Sequence, residues 1–234
     1  MNTIKANFAF SKSLTLKKEY FLYALPLVVL LINRIPYVGK YLRVVNTLIH
    51  ESGHAFFALL TSGDVYEVEL FSDRSGTATT KTNGKWSRFL VAIGGYPFGS
   101  AFAFLMFYFI SINQYQIVLY TVVIIALLNL AMLVRNTYGV FWLISFIILI
   151  LLVIFYGNDT VKYVFTLWLS GVMLFESLYS SIELVIIASK KSKAAGDAYN
   201  LERFTGIPAM FWALLFVAQA GYFVYLTIRL FFTF

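Results

Sequence analysis

Apolar residues run along this chain in long blocks broken by short polar stretches. Seven blocks stand out, at 19–33, 39–61, 88–111, 115–134, 138–156, 160–188 and 207–230. Most come close to the ~20 residues that an α-helix needs to cross the hydrocarbon core of a bilayer. The first is short and holds Pro26, and the second is interrupted by polar residues, so these two are the weakest spans. The pattern predicts an all-α polytopic membrane protein of about six to seven transmembrane helices.

One stretch departs from helical periodicity. In "DVYEVELFSDRSGTATTKTNGKW", 64–86, Tyr66, Val68 and Leu70 alternate with Val65, Glu67 and Glu69, and the run breaks at Ser72 to Gly76. Period-two alternation around a Gly turn predicts one β-hairpin, inserted directly after the second helix. The other polar stretch is "SKKSKAAGDAYNLERFTGIP", 189–208, a basic loop that leads into the last span. With no repeat and no low-complexity linker, residues 1–234 read as a single integral membrane domain.

Composition agrees with this patterning. Of the 234 residues, 60% are hydrophobic and only 12% charged, which is far from the balance of a soluble domain. The net charge is +7, but the Lys and Arg flank apolar blocks instead of forming one patch, so nucleic acid is not the expected partner and the lipid bilayer is. If the N-terminus is cytoplasmic and all seven blocks cross, thirteen basic residues fall inside and five outside. That split fits the positive-inside tendency. The N-terminal stretch has Lys but no apolar core followed by a small-residue cleavage site, so the first block is expected to remain as an anchor. The absence of Cys excludes disulfides and thiolate metal sites.

The chemistry concentrates in "NTLIHESGHAFFALL", 46–60. His50 and His54 are the only two histidines in the chain. Four residues apart on a helix, they lie on one face and can turn their imidazoles to a common point. Neutral imidazole is a good zinc ligand. Glu51 projects from an adjoining direction, where it can reach a water without ligating the metal. That is the physical content of an H-E-x-x-H pattern, two ligands and a general base. A pair of His can also simply hydrogen-bond within a bundle. Against that reading, a Glu in a membrane segment is costly unless it is paired or functional.

Two His do not complete a zinc site, which commonly takes three protein ligands. The available carboxylates are Asp64, Asp73, Asp159, Glu176, Glu183 and Asp197. In the topology above, Asp197 is on the side where the second block ends, and His54 lies about 10 Å from that end at 1.5 Å per residue. Asp197 can reach the His pair if its loop dips inward, or it can cap a short helix from Ala198 to Phe204. Glu176 and Glu183 share a helical face and are expected to bond within the bundle. Gly95, Gly99 and Ala103 have the four-residue spacing of close helix packing, with substrate contact as the other reading. Arg135 and Asn136 sit at a span end, where Arg orients the protein and Asn makes interhelical bonds or touches substrate.

The order of short motifs carries a resemblance. His50-Glu51-Ser52-Gly53-His54 is followed by a hairpin, Gly94-Gly95-Tyr96, Arg135-Asn136-Thr137-Tyr138-Gly139, then Asp197-Ala198 and Thr205-Gly206-Ile207-Pro208. This order resembles the site-2-protease class of membrane zinc metallopeptidases, in its small bacterial B-like branch (peptidase family M-50, B-like). The resemblance implies zinc, ligation by His50, His54 and a late Asp that matches Asp197, Glu51 as catalytic base, peptide or membrane-protein substrates, and a bacterial cytoplasmic membrane. In the class that Asp sits within Leu-Asp-Gly; here Gly196 precedes it and Ala198 follows. Two functions therefore stand: a membrane-embedded zinc metallopeptidase, or a non-catalytic relative that binds partners.

Overall fold

The computed structural model describes residues 35–231 together with Ala24, Val28, Val29 and Leu31. The first predicted block, 19–33, and the N-terminal anchor lie almost entirely outside the described residues. From Val38 onward the order is α1 (Val38–Leu60), β1 (Asp64–Leu70), β2 (Gly76–Lys81), α2 (Lys85–Ser111), α3 (Tyr115–Leu128), α4 (Thr137–Tyr156), α5 (Asp159–Lys190), α6 (Gly196–Thr205) and α7 (Ala209–Phe231).

Among the described residues, five helical stretches are long and apolar enough to cross a membrane: α2, α3 with its π-helical extension to Leu133, α4, α5 and α7. The protein is an integral membrane protein by these spans. Their lipid-facing stripes are visible on the surface. On α4, Phe141, Ile144, Ile148, Leu152 and Phe155 are all exposed, at intervals of three and four residues. That is one face of a helix turned to an apolar solvent. The opposite face, Leu143, Phe146, Ile147 and Ile150, is buried. α1 differs because it carries Lys40, Arg43, Glu51 and both His on its 23 residues.

α1 packs on α2, α5 and both strands of the hairpin. Val44, Val45, Leu48 and Ile49 are buried in one apolar cluster with Val68 and Leu70 of β1 and Leu143 and Phe146 of α4. Glycines on α1 and α2 let these helices meet closely. A Cβ at Gly53 would lie 2.7 Å from that of Phe98, and one at Gly94 would lie 2.3 Å from the Phe57 ring. Contacts this short leave no room for a larger side chain unless the helices part or the Phe57 ring turns aside.

The hairpin follows α1 as predicted, antiparallel, with Val68 opposite Ala78 and Leu70 opposite Gly76. One detail differs from the alternation in the sequence. Val68 and Leu70 are buried but Tyr66 is 60% exposed. The register shifts between Val65 and Glu67, and a bulge there turns Tyr66 out of phase with the rest of the strand.

The outer edge of β1 is covered. Val68 bridges Val134 in parallel, and the Asn136 amide replaces a neighbouring strand. Its Oδ1 accepts from the Leu70 amide at 3.1 Å and its Nδ2 donates to the Leu70 carbonyl at 2.6 Å. β2 has no strand partner other than β1 among the described residues.

A second apolar cluster holds the loop after α5. Ala195, Ala198 and Leu201 are buried with Leu184, Ala209, Trp212, Ala213 and Phe216. Glu202 Oε2 accepts from the Ala209 amide at 2.7 Å and from the Ser192 hydroxyl at 2.9 Å, which stitches both ends of α6 to its neighbours. Gly196 takes φ +42°, a left-handed conformation that favours glycine, immediately before Asp197.

Candidate metal centre

Two helices converge beneath the hairpin. His50 and His54 come from α1, and Asp197 from the first turn of α6. The two Nε2 atoms are 3.1 Å apart. Each lies 3.2 Å from Oδ2 of Asp197. Asp197 lies within the first turn of α6, and the N-cap residue is Ala195. Its carboxylate goes to the imidazoles.

This triangle suits a tetrahedral cation. Ligand atoms at ~2.0–2.1 Å from a zinc ion, spread at tetrahedral angles, stand about 3.3 Å from one another. The three edges here are 3.1, 3.2 and 3.2 Å. The chemistry of the donors points the same way. His54 turns Nδ1 to the Val91 carbonyl at 2.7 Å, and a carbonyl can only accept. The proton of the neutral ring is therefore on Nδ1, and the Nε2 lone pair faces the Asp197 carboxylate. Two acceptors at 3.2 Å repel unless a cation sits with them, either a second proton on the ring or a metal ion. Near-equal edges on all three sides fit a shared metal. His50, His54 and Asp197 are the one group among the described residues whose His or carboxylate donors lie this close together.

The surroundings preserve this arrangement. A Cβ at Gly95 would stand 2.6 Å from Cε1 and Nε2 of His50 and from Nε2 of His54, so glycine there leaves the space the imidazoles occupy. Tyr96 meets His50 edge-on, with ring centroids 4.7 Å apart, and stacks on Phe216 of α7. Ser52 donates to the Leu48 carbonyl and receives from Asn129 at 3.0 Å, which ties the middle of the motif to the π-helical turn. Burial pushes the Asp197 carboxyl up, but the charges and hydrogen bonds of the two imidazoles outweigh it and hold the group below the usual carboxylate range.

Glu51 is buried, at 6% exposure, beside the triangle. The backbone amide of Ala78 hydrogen-bonds its carboxylate. Gly76 packs on the same side chain, and a Cβ there would come within 3.0 Å of Glu51 Oε1. The hairpin is thus seated directly on the acid of the motif. Two clefts open from this point. One, of about 690 Å³, is lined by both His, Glu51, Asp197 and the outer edge of β2. The other, of about 350 Å³, runs from His50 and Glu51 between the hairpin turn and α5.

The remaining carboxylates lie elsewhere. Glu176 is within 3.1 Å of Arg43 Nε and 3.7 Å of Arg74, and Glu183 is 3.7 Å from Arg74. They cross-link α5 to α1 and to the hairpin turn, as bundle bonds. Asp64 pairs with Lys81, and Asp73 accepts from the Ser75 amide and hydroxyl. Asp159 opens α5 beside Tyr115. Asn136, read from sequence as an interhelical or substrate contact, is engaged by Leu70. Gly76 and the Val91 carbonyl were missed in the sequence. The first looks like any turn glycine, and the second is a backbone atom that no side-chain pattern marks.

The sequence pattern of the family described as Peptidase M50B-like matches residues 22–227. No curated protein and no solved structure matches the chain.

Proposed function

This chain belongs to the Peptidase M50B-like family, and on that footing we propose that it is a membrane-embedded zinc peptidase, site-2-protease-like, acting on membrane or membrane-associated proteins. The single observation that carries the reading is the donor triangle of His50, His54 and Asp197 with Glu51 buried beside it at the meeting of two clefts. His50, His54 and Asp197 would hold the zinc. When bound, zinc supplies a Lewis acid that lowers the pKa of water and polarises a carbonyl.

The other parts follow from the chain itself. The Glu51 carboxylate takes a proton from the attacking water and returns it to the leaving amine nitrogen. The free edge of β2 offers backbone groups to an extended peptide, a common way to hold one. Asn136, by covering β1, leaves that free edge on the cleft side of the hairpin. His54 keeps its lone pair aimed inward through Val91.

Host-membrane proteomics of wild type against Glu51→Gln tests the activity without a known substrate. A membrane protein should accumulate uncut in the variant and appear as fragments with wild type. Identical membranes at equal expression and equal zinc content would instead make the chain a non-catalytic relative.

A further inference from the structure

We infer that the larger cleft selects extended peptide segments carrying an acidic side chain, and that Arg88 and Arg203 recognise it. This rests on the peptidase reading and names the substrate class of the same site. Both arginines line the cleft that holds the donor triangle. Arg88 comes from the first turn of α2 and Arg203 from the last turn of α6. Both side chains are exposed. Among the described residues neither has a carboxylate partner, and the nearby Glu202 is engaged by Ser192 and Ala209.

The two clefts differ in charge. In the smaller one, Arg43 and Arg74 face Glu176 and Glu183, and Glu51 and Asp73 also line it, so acidic groups outnumber basic ones there. In the larger one the carboxylates are Glu51 and Asp197, both committed at the centre. The uncompensated charge along that wall is positive. The same cleft is lined by Thr77 and Thr80 of β2 and by Thr82 just beyond it. A strand laid on the free edge of β2 projects alternate side chains to one side. An Asp or Glu among them meets a guanidinium, and charge-assisted hydrogen bonds between the two are directional. Arginines at span ends also orient membrane proteins and attract anionic headgroups. That role needs only their charge near the interface. It gives no reason for both to share a cleft with a free strand edge and the donor triangle.

The test uses the full-length Glu51→Gln protein, loaded with zinc, in neutral-lipid nanodiscs. Three fluorescent peptides of equal length are titrated, identical except for a central pair of Asp, Asn or Lys. The Asp peptide should bind about tenfold tighter than the Asn peptide, with the Lys peptide weakest. The advantage should shrink as ionic strength rises. It should vanish in Arg88→Gln/Arg203→Gln, with zinc content unchanged. Equal affinity for the three peptides, or an advantage that survives the double substitution, overturns the inference. So does an arginine-dependent affinity for anionic vesicles with no peptide preference. The peptidase reading fails separately. Cut sites in host membranes without nearby acidic residues would sink the specificity and leave the peptidase standing. Absent cleavage alongside a clear Asp preference would do the reverse.

Discussion

The ring of His54 donates from Nδ1 to the Val91 carbonyl at 2.7 Å, and this bond determines what its other nitrogen can do. With the proton held on Nδ1, Nε2 presents a lone pair to Asp197 and His50. The expected outcome is about one zinc per chain, lost in His50→Ala and in His54→Ala, as read by metal analysis of purified protein. Zinc content equal to wild type in either variant refutes the site.

Acid should remove the metal through the imidazoles. Asp197 has its pKa depressed, so any stability it contributes is present above the ordinary carboxylate value and is lost only as pH falls through the lowered one. Metal binding needs deprotonated donors, so zinc content should fall on acidification while Asp197 is still ionised. Zinc retained down to the carboxylate range would place the proton-sensitive step on Asp197.

Two glycines on α2 separate metal geometry from helix packing. A Cβ at Gly95 lies 2.6 Å from both imidazoles, whereas one at Gly99 meets only Asn46 Oδ1 at 3.7 Å, an ordinary contact. Gly95→Ala should therefore lose zinc while the protein still inserts in the membrane. Gly99→Ala should keep zinc and stability. Equal behaviour of the two would show that α2 shifts readily and that the space beside the His pair is not limiting.

The sequence made the helices, the hairpin and the shared face of His50 and His54 legible because each follows from a local period or a short motif. The His spacing required only one turn of helix. Asp197 was harder. On spacing alone it was as much a helix cap as a partner of His54, and only the packing of Ala198 and Leu201 beneath α6 decides between them. The role of Asn136 was not legible. It depends on a contact with Leu70, 66 positions away in the chain, that occupies the strand edge. Tyr66 was misplaced because a bulge is a property of the paired strands, not of one strand's alternation.

Asn136 predicts its own test. Asn136→Ala removes two hydrogen bonds from the Leu70 backbone and exposes the β1 edge. About 1 kcal/mol per bond is expected as the local cost. Amide exchange over Asp64–Leu70 should quicken by roughly one to two orders of magnitude if both bonds are lost, following that cost. Zinc content should hold, since neither His contacts Asn136 directly. Unchanged exchange would mean that Val134 alone covers the strand.

Two buried carboxylates on neighbouring helices should respond in opposite ways to the same change. Glu51, 6% exposed, sits between the donor triangle and the Ala78 amide, and Glu176, 3% exposed, sits between Arg43 and Arg74. Glu51→Gln keeps the shape but cannot take a proton, so cleavage should cease while zinc, insertion and thermal stability remain. Glu176→Gln withdraws a charge that two arginines share. Those arginines are partly exposed, so a cost of about 1–3 kcal/mol is expected, less than for a fully buried pair. The melting temperature and membrane yield should fall, while zinc per folded chain stays constant, because Glu176 bonds to α1 through Arg43 and not through either His. Restoring the balance with Glu176→Asp should recover part of the stability. If Glu51→Gln instead lowers yield and Glu176→Gln removes zinc, the assignment of one carboxylate to chemistry and the other to the bundle is reversed.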